Sequence, residues 1–360
     1  MVQEACGCKI LLAQKAFSNF GVYELLSGYL SGTEASGLYE ARLGKTYMPG
    51  KECHVFCGAY KESEFEEIVK YADHIVFNSV SQLRKFGQRA KDAGKSVGLR
   101  INPRCSTQEG HEIYDPCAPG GRLGVTKEIW QQQMGKELID MLDGLHFHTL
   151  CEQNADALEI TLSAVEEQFG EILKTVKWLN MGGGHHITRG DYDIGCLLKC
   201  ICHMQEAYDL EIYLEPGEAV ALNAGYLVSE VLDITVNGDV TNAILDMSAA
   251  CHTPDVIEMP YRPPVMGSGD AGEKGFTYRF GGPTCLSGDI VGDYSFDCQL
   301  REGDKILFGD MAIYTTCKNN TFNGMKLPDI YLLKTDGSIE CLARFGYEDF
   351  LYRLGNRKAL

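Results

Sequence analysis

No run of about 18 consecutive apolar residues occurs in the chain, so a membrane-spanning helix is not expected. The amino-terminal stretch MVQEACGCKI lacks the basic region and small-residue cleavage site of a secretory signal, which points to a cytoplasmic protein with no membrane partner. Basic residues are in deficit: 33 Lys and Arg stand against 50 Asp and Glu, a net charge of −17. That balance disfavours nucleic acid as a partner and suits cationic substrates or products. Low-complexity segments and sequence repeats are missing too. With 44% hydrophobic and 23% charged residues over 360 positions, the composition excludes disorder and allows a sizeable core.

Cysteine, in contrast, is plentiful. Fifteen cysteines without a signal segment read as reduced thiols, not as a disulfide framework. Cys196, Cys200, Cys202 and His203 invite a metal reading, but their spacing fits no standard zinc pattern, and buried packing is the better account.

Short β-branched apolar runs alternate with amphipathic segments in the first part of the chain. The strand candidates are CKILLAQKA, GTEASGL, HVFCGA, HIVFNS, SVGLRINP, GLHFHTL, WLNMGGG and EIYLEPG. Stretches such as KESEFEEIVKYA and ADALEITLSAVEEQFGEILKTV carry apolar residues at helical spacing between them. Eight such units predict a (β/α)8 TIM-like barrel over residues 1–217, with functional groups at the C-terminal ends of the strands. After Gly217 come YLVSEVLDITVNG, TNAILDMSA, GFTYRFGGPTC, DKILFGDM and IYLLKTDGSIECLARF, punctuated by Asn-Gly, Gly-Asp and Asp-Gly turns. This predicts a C-terminal all-β domain, sandwich- or barrel-like, over residues 218–360.

The chemistry-bearing residues fall at the expected strand ends. In LLAQKAF, Lys15 follows an apolar run, and a lysine buried there is a candidate nucleophile, since desolvation favours its neutral amine; a snorkelling lysine is the plainer alternative. His146 and His148 of HFHTLCE share a strand face, which suits either a metal pair or, for one of them, stacking on an aromatic ring. NMGGGHH offers backbone N–H groups to a phosphate or is an ordinary tight loop. Glu215 of YLEPGEA can hold a proton on a pyridine nitrogen or is a turn glutamate. In GGPTCLSGD, Cys285 is a candidate general acid and Asp289 a candidate amine ligand, while Tyr314 of FGDMAIYT can reach a phosphate oxygen.

Taken in order, the LLA-Lys-A run, HFH, GGG, EPG, GPTC and the late DM-x-x-Y resemble the fold type III pyridoxal phosphate decarboxylases. Within that group ILLA-x-KAF, YDPCAPGGRLG, HFHTLCE, GGGHHITRGDYD, HTPDVIEMPYRP and GPTCLSGDIVGDY most resemble the carboxynorspermidine and carboxyspermidine decarboxylases, along essentially the whole chain. The resemblance implies pyridoxal 5'-phosphate as cofactor, Lys15 as its Schiff-base lysine and His148 as the ring-stacking group. It implies Glu215 as partner of the pyridine nitrogen, and Gly183, Gly184 and Tyr314 as phosphate ligands. It further implies a head-to-tail homodimer with shared active sites, in which Cys285, as proton donor to Cα, and Asp289 come from the neighbouring subunit. The reaction implied is loss of CO2 from a carboxypolyamine in spermidine or norspermidine biosynthesis. Its extra amines call for acidic groups, by position Glu218 and Asp255. A decarboxylase of another amino acid such as diaminopimelate, a non-catalytic pyridoxal phosphate-binding protein and, more distantly, a metal-dependent barrel hydrolase are the alternatives. Family members begin with a strand and helix ahead of the lysine strand, whereas fourteen residues precede Lys15 here. A truncated or misassigned start and an unpaired β-domain edge are therefore expected.

Overall fold

The structure is a computed structural model and describes residues 1–108 and 115–355. Tyr114, the first residue of YDPCAPGGRLG, lies outside the described residues. Two compact units are present, Met1–Val220 and Ala221–Leu360.

In the first unit eight parallel strands close into a barrel: β1 (Lys9–Ala13), β2 (Gly32–Ala35), β3 (Glu52–Phe56), β4 (His74–Phe77), β5 (Ser96–Arg100), β6 (Gly144–His146), β7 (Trp178–Asn180) and β8 (Glu211–Leu214). Closure is made by β8 against β1, with Tyr213 opposite Lys9 and Leu214 opposite Ile10. Seven strands fall inside the apolar runs read from the sequence, and β3 starts two residues ahead of its run HVFCGA; the two long amphipathic stretches are the helices Glu62–Tyr71 and Ala155–Leu173. Their buried faces, Phe65, Ile68 and Val69 in one and Leu158, Leu162, Val165 and Phe169 in the other, repeat at three and four residues and pack onto the outside of the barrel.

Alternate strand residues fill the inside. Leu11, Val76, Trp178 and Tyr213 form a separate buried cluster there, backed by Phe56. The indole of Trp178 fits because β6 has Gly144 opposite it; a Cβ there would lie 1.9 Å from Trp178 Cδ2. Below that layer, at the N-terminal ends of the strands, Lys9 is ion-paired with Glu52 at 2.5 Å and with Glu211 at 2.7 Å.

The second unit is mainly sheet. Its strands are β9 (Leu227–Asn237), β10 (Val240–Leu245), β11 (Phe276–Gly281), β12 (Ile290–Phe296), β13 (Lys305–Phe308), β14 (Ile330–Leu333) and β15 (Ile339–Ala343). Five form one sheet in the order β12-β11-β10-β9-β13, and β14 pairs with β15. The Asn-Gly signal is the β9–β10 hairpin, where Asn237 faces Val240 and Gly238 takes φ 58°. Phe280, Tyr294 and Phe308 are its largest fully buried side chains. Two features differ from the sequence expectation. The strand β12 was not anticipated, since IVGDYSF breaks its apolar alternation with Gly292 and Asp293. Short helices accompany the sheet, among them Asp255–Glu258, Thr315–Lys318 and Tyr347–Leu354.

Candidate active site

At the C-terminal ends of the barrel strands lies a cavity of about 380 Å³ lined by residues from seven of the eight strand ends. Lys15, His148, Gly183 and Glu215, chosen from sequence, all line it.

Lys15 sits two residues beyond β1 in a turn closed by the Ala16 N–H donating to the Ala13 carbonyl at 3.2 Å. Its side chain is exposed, which corrects the expectation of a buried lysine. The buried residue is its neighbour Gln14, whose amide is bonded to the Glu40 carbonyl at 2.9 Å and to the Tyr23 hydroxyl at 3.1 Å. Because the apolar run ends at Ala13, the chain turns there and presents the amine to the cavity. The Pro-Gly turn after β8 packs against it: a Cβ at Gly217 would lie 2.7 Å from Ala16 Cβ.

Glu215 is 6% exposed and held from behind. Asn180 Nδ2 donates to Oε1 at 2.6 Å, and His146 Nε2 lies 3.1 Å from Oε2. Burial alone works against its ionisation, but the histidine and amide contacts bring its pKa below the ordinary carboxylate value. Burial lowers the pKa of His146, so at neutral pH it is a neutral imidazole giving its Nε2 proton to Glu215, and the pair carries one negative charge. His146 is therefore a support for Glu215 and not one half of a metal pair.

His148 accepts a hydrogen bond at Nδ1 from the Gly183 N–H at 2.8 Å, which fixes the tautomer with the proton on Nε2. Burial, followed by the charges of Lys15 and Arg100, holds its pKa well below the usual histidine value. A flat, neutral ring results. The glycine loop behind it has no room for side chains: Gly182 and Gly184 adopt φ 70° and 82°, and a Cβ on Gly183 would lie 2.5 Å from the Glu215 carbonyl oxygen.

Two residues that the sequence reading passed over complete the cavity. Arg100, at the end of β5, is 3% exposed, donates from Nη2 to the His148 carbonyl at 3.0 Å and lies over the Phe56 ring; burial lowers its pKa to about 10. Glu34, at the end of β2, is 4% exposed, and burial together with the nearby Glu215 raises its pKa well above the usual carboxylate value. Both stand at barrel strand ends, the signal that identified the other four.

The remaining candidates lie elsewhere. Glu218, three residues after Glu215, faces Glu152 and His186 in loops of the same unit. In the second unit, Cys285 is exposed and its Sγ–H points to Asn323 Oδ1 at 3.2 Å. Asp289 is turned inward: Oδ1 accepts from the Ala250 N–H at 3.1 Å and Oδ2 from the Thr284 hydroxyl at 2.6 Å. These contacts tie it to the Cys285 loop and to the helix Ala249–His252. Asp255 is ion-paired with Lys318, which also holds Glu258 at 2.8 Å. Tyr314 has a left-handed backbone, φ 56°, at the start of the helix Thr315–Lys318. Of the cysteine–histidine group, Cys200 is in the core and His203 is bonded to Glu166 at 2.9 Å.

An exposed primary amine, a neutral imidazole, an ionised carboxylate and a loop without side chains around one cavity match the aldehyde, ring, ring nitrogen and phosphate of pyridoxal phosphate. The family model described as "Pyridoxal-dependent decarboxylase, C-terminal sheet domain" matches residues 20–312. A carboxynorspermidine/carboxyspermidine decarboxylase of Campylobacter jejuni is 41% identical over 98% of this chain and 93% of its own length. A carboxyaminopropylagmatine decarboxylase of Synechocystis is 39% identical over 98% of this chain and 90% of its own. The crystal structure of carboxynorspermidine decarboxylase from Campylobacter jejuni, complexed with norspermidine, is similar with a TM-score of 0.88 and 40% identity, covering 98% of this chain and 94% of that one. The chain therefore belongs to the pyridoxal-dependent decarboxylases, carboxy-lyases whose cofactor is pyridoxal phosphate.

Proposed function

We propose that this enzyme decarboxylates carboxynorspermidine, carboxyspermidine or both, releasing CO2 and the corresponding polyamine in polyamine biosynthesis. The observation that carries the reading is the ionised Glu215 in one cavity with the exposed amine of Lys15. The extensive likeness to relatives that act on carboxylated polyamines supports the substrate class.

When bound, pyridoxal phosphate supplies an electrophilic carbonyl and an electron-withdrawing ring that accepts the electrons left by departing CO2. Lys15, whose amine lines the cavity, would hold the cofactor through its carbonyl carbon. His148 stacks on the ring, its tautomer held by Gly183 and its carbonyl by Arg100. Glu215 keeps a proton on the ring nitrogen, which favours decarboxylation over reactions needing a weaker electron sink; His146 and Asn180 orient it. Gly183, Gly184 and Tyr314 hold the phosphate. Cys285 donates a proton to the carbon that has lost CO2. Its bond to Asn323 orients the thiol, and Asp289 stiffens the loop that carries it. In this reading residues 1–217 bind the cofactor and residues 218–360 carry the Cys285 loop. The enzyme is a homodimer in which that loop serves the neighbouring site. Fifteen free cysteines support a reducing, cytoplasmic setting.

The test is CO2 release by the cofactor-loaded protein offered carboxynorspermidine, carboxyspermidine, diaminopimelate and ornithine in parallel, with Lys15→Ala as control. Release from the carboxypolyamines alone, absent in the control, is the expected result. Release from diaminopimelate or ornithine instead moves the substrate class, and no release with cofactor still bound through Lys15 favours a binding protein.

A further inference from the structure

Beneath the aromatic layer inside the barrel, the N-terminal ends of β3 and β4 bring a second group of ionisable side chains together. Glu52 and His54 alternate on β3 with Cys53, so both point inward while the thiol faces the Ala41 carbonyl outside. His74 opens β4, directly opposite His54 in the strand register. One ligand atom from each of Glu52, His54 and His74 lies within 4.8 Å of the others. Both histidines head apolar runs, HVFCGA and HIVFNS, and neither lines the cavity at the other end of the barrel.

His54 is 1% exposed and its Nδ1 has no hydrogen-bond partner; the buried Nδ1 of His74 has none either. Imidazole nitrogens buried in that state are costly unless something fills their bonding capacity. The two rings lie face to face, centroids 3.9 Å apart and planes 11° apart, an arrangement that satisfies neither Nδ1. Burial, and then the neighbouring His54, lower the pKa of His74 to about 3, so its ring is neutral and has a lone pair to give. Glu52 is already oriented. Its Oε1 accepts from Lys9 at 2.5 Å, and Lys9 is shared with Glu211 at 2.7 Å and with the Tyr213 hydroxyl at 3.1 Å. The other oxygen, Oε2, lies 3.2 Å from His54 Nε2.

We propose that Glu52, His54 and His74 bind a divalent transition-metal ion, zinc foremost, that ties β3 to β4 at the N-terminal end of the barrel. One carboxylate and two imidazoles are a zinc ligand set, with water in the fourth position, and the two imidazoles select against calcium and magnesium. Ligands about 2.1 Å from a four-coordinate ion stand roughly 3.4 Å apart, close to the 3.2 Å between Oε2 and Nε2. The stacked rings turn edge-on to a common ion by rotation about χ2, a broad torsion. Lys9 stays on Oε1 and holds the carboxylate from behind, as hydrogen-bond partners of metal ligands do. Phe56, four residues along β3 from Glu52, lines the cavity, so about 13 Å of strand separates the ion from the chemistry. The site therefore stabilises the barrel without entering the reaction, and it stands whichever substrate the enzyme uses.

To test this, wild-type holoenzyme is stripped with a chelator, desalted and titrated with zinc, beside Glu52→Gln and His74→Gln and, as control, His186→Gln, whose imidazole is also buried without a partner. Elemental analysis gives the stoichiometry, and X-ray absorption of the zinc-loaded wild type gives the ligand atoms. The expected result is one ion per chain, held by nitrogen and oxygen at about 2.0–2.1 Å. Affinity falls tenfold or more in Glu52→Gln and His74→Gln and is unchanged in His186→Gln. Zinc at about a hundredfold excess over its dissociation constant is expected to raise the wild-type melting temperature by about 5 °C and to leave that of His74→Gln in place. No bound ion, sulfur among the ligands, or affinity kept in both substituted chains overturns the site, and so does a loss confined to His186→Gln. The absorption spectrum needs no variant, so the proposal is decided even where a substitution prevents folding.

Discussion

At the scale of single residues, the cavity keeps two carboxyl groups in opposite states. Glu215 has the His146 Nε2 proton and the Asn180 amide behind it, so its charge is supported although it is buried. Glu34 sits near Glu215, and burial together with that repulsion outweighs the charges of Lys15 and Arg100 and favours its neutral form. That asymmetry has a thermodynamic consequence. A carboxyl whose folded pKa is raised binds more protons folded than unfolded, so stability falls as pH rises from the unfolded value near 4.3 towards the folded one. Glu34→Gln removes the titrating group while keeping its shape. The variant is expected to match the wild type below about pH 4 and to become more stable than it as pH rises. The gain is about 1.4 kcal/mol for each pH unit crossed between the two pKa values. Thermal melts of the cofactor-free protein at a series of pH values from 4 to 8 test this, and parallel curves for the two proteins refute it.

At the scale of elements, the strand ends and the glycine loop carry the site. Gly183 is a steric requirement: a Cβ there meets the Glu215 backbone oxygen at 2.5 Å, and backbone cannot swing aside as a side chain does. Gly183→Ala is expected to displace the N–H that fixes His148 and to weaken pyridoxal phosphate binding tenfold or more, about 1.4 kcal/mol. Gly190→Ala, where a Cβ meets nothing within 4 Å, serves as control. Absorbance titration with the cofactor reads both, and equal affinities would remove the steric argument. The same elements explain what the sequence made legible. Barrel strands buried on both faces are short continuous apolar runs, so all eight could be read, and Lys15, His148 and Glu215 stood out as polar groups at their ends. Glu34 and Arg100 obey the same rule in GTEAS and VGLRINP but belong to no recognised motif, and were passed over. The exposure of Lys15 was not readable, because it depends on a turn that begins one residue earlier. Nor was the inward turn of Asp289, which depends on Ala250, a residue remote in sequence. The strand β12 escaped because its glycine and aspartate hide its alternation.

At the scale of the whole molecule, the question is whether one chain is a complete enzyme. The hairpin β14–β15 and the helix Tyr347–Leu354 contain no fully buried residue and leave Leu333, Ile339, Tyr347 and Leu354 exposed. Apolar surface left open in this way supports association. In a two-fold dimer with shared sites, each site takes Lys15 from one subunit and Cys285 from the other. A homodimer of Lys15→Ala then has two dead sites, as does one of Cys285→Ala if the thiol is required for product formation. In a mixed dimer both lesions fall in the same site, and the other site is intact. When the two inactive variants are co-expressed in equal amounts and assort at random, half the dimers are mixed and each has one good site of two. The activity regained is therefore about a quarter of the wild-type value per chain. Carboxypolyamine decarboxylation by the co-expressed pair, compared with each variant alone and with the pair mixed under conditions that block subunit exchange, measures it. If each site were built from a single chain, co-expression would restore nothing. Cys285 would then have to serve the lysine of its own subunit.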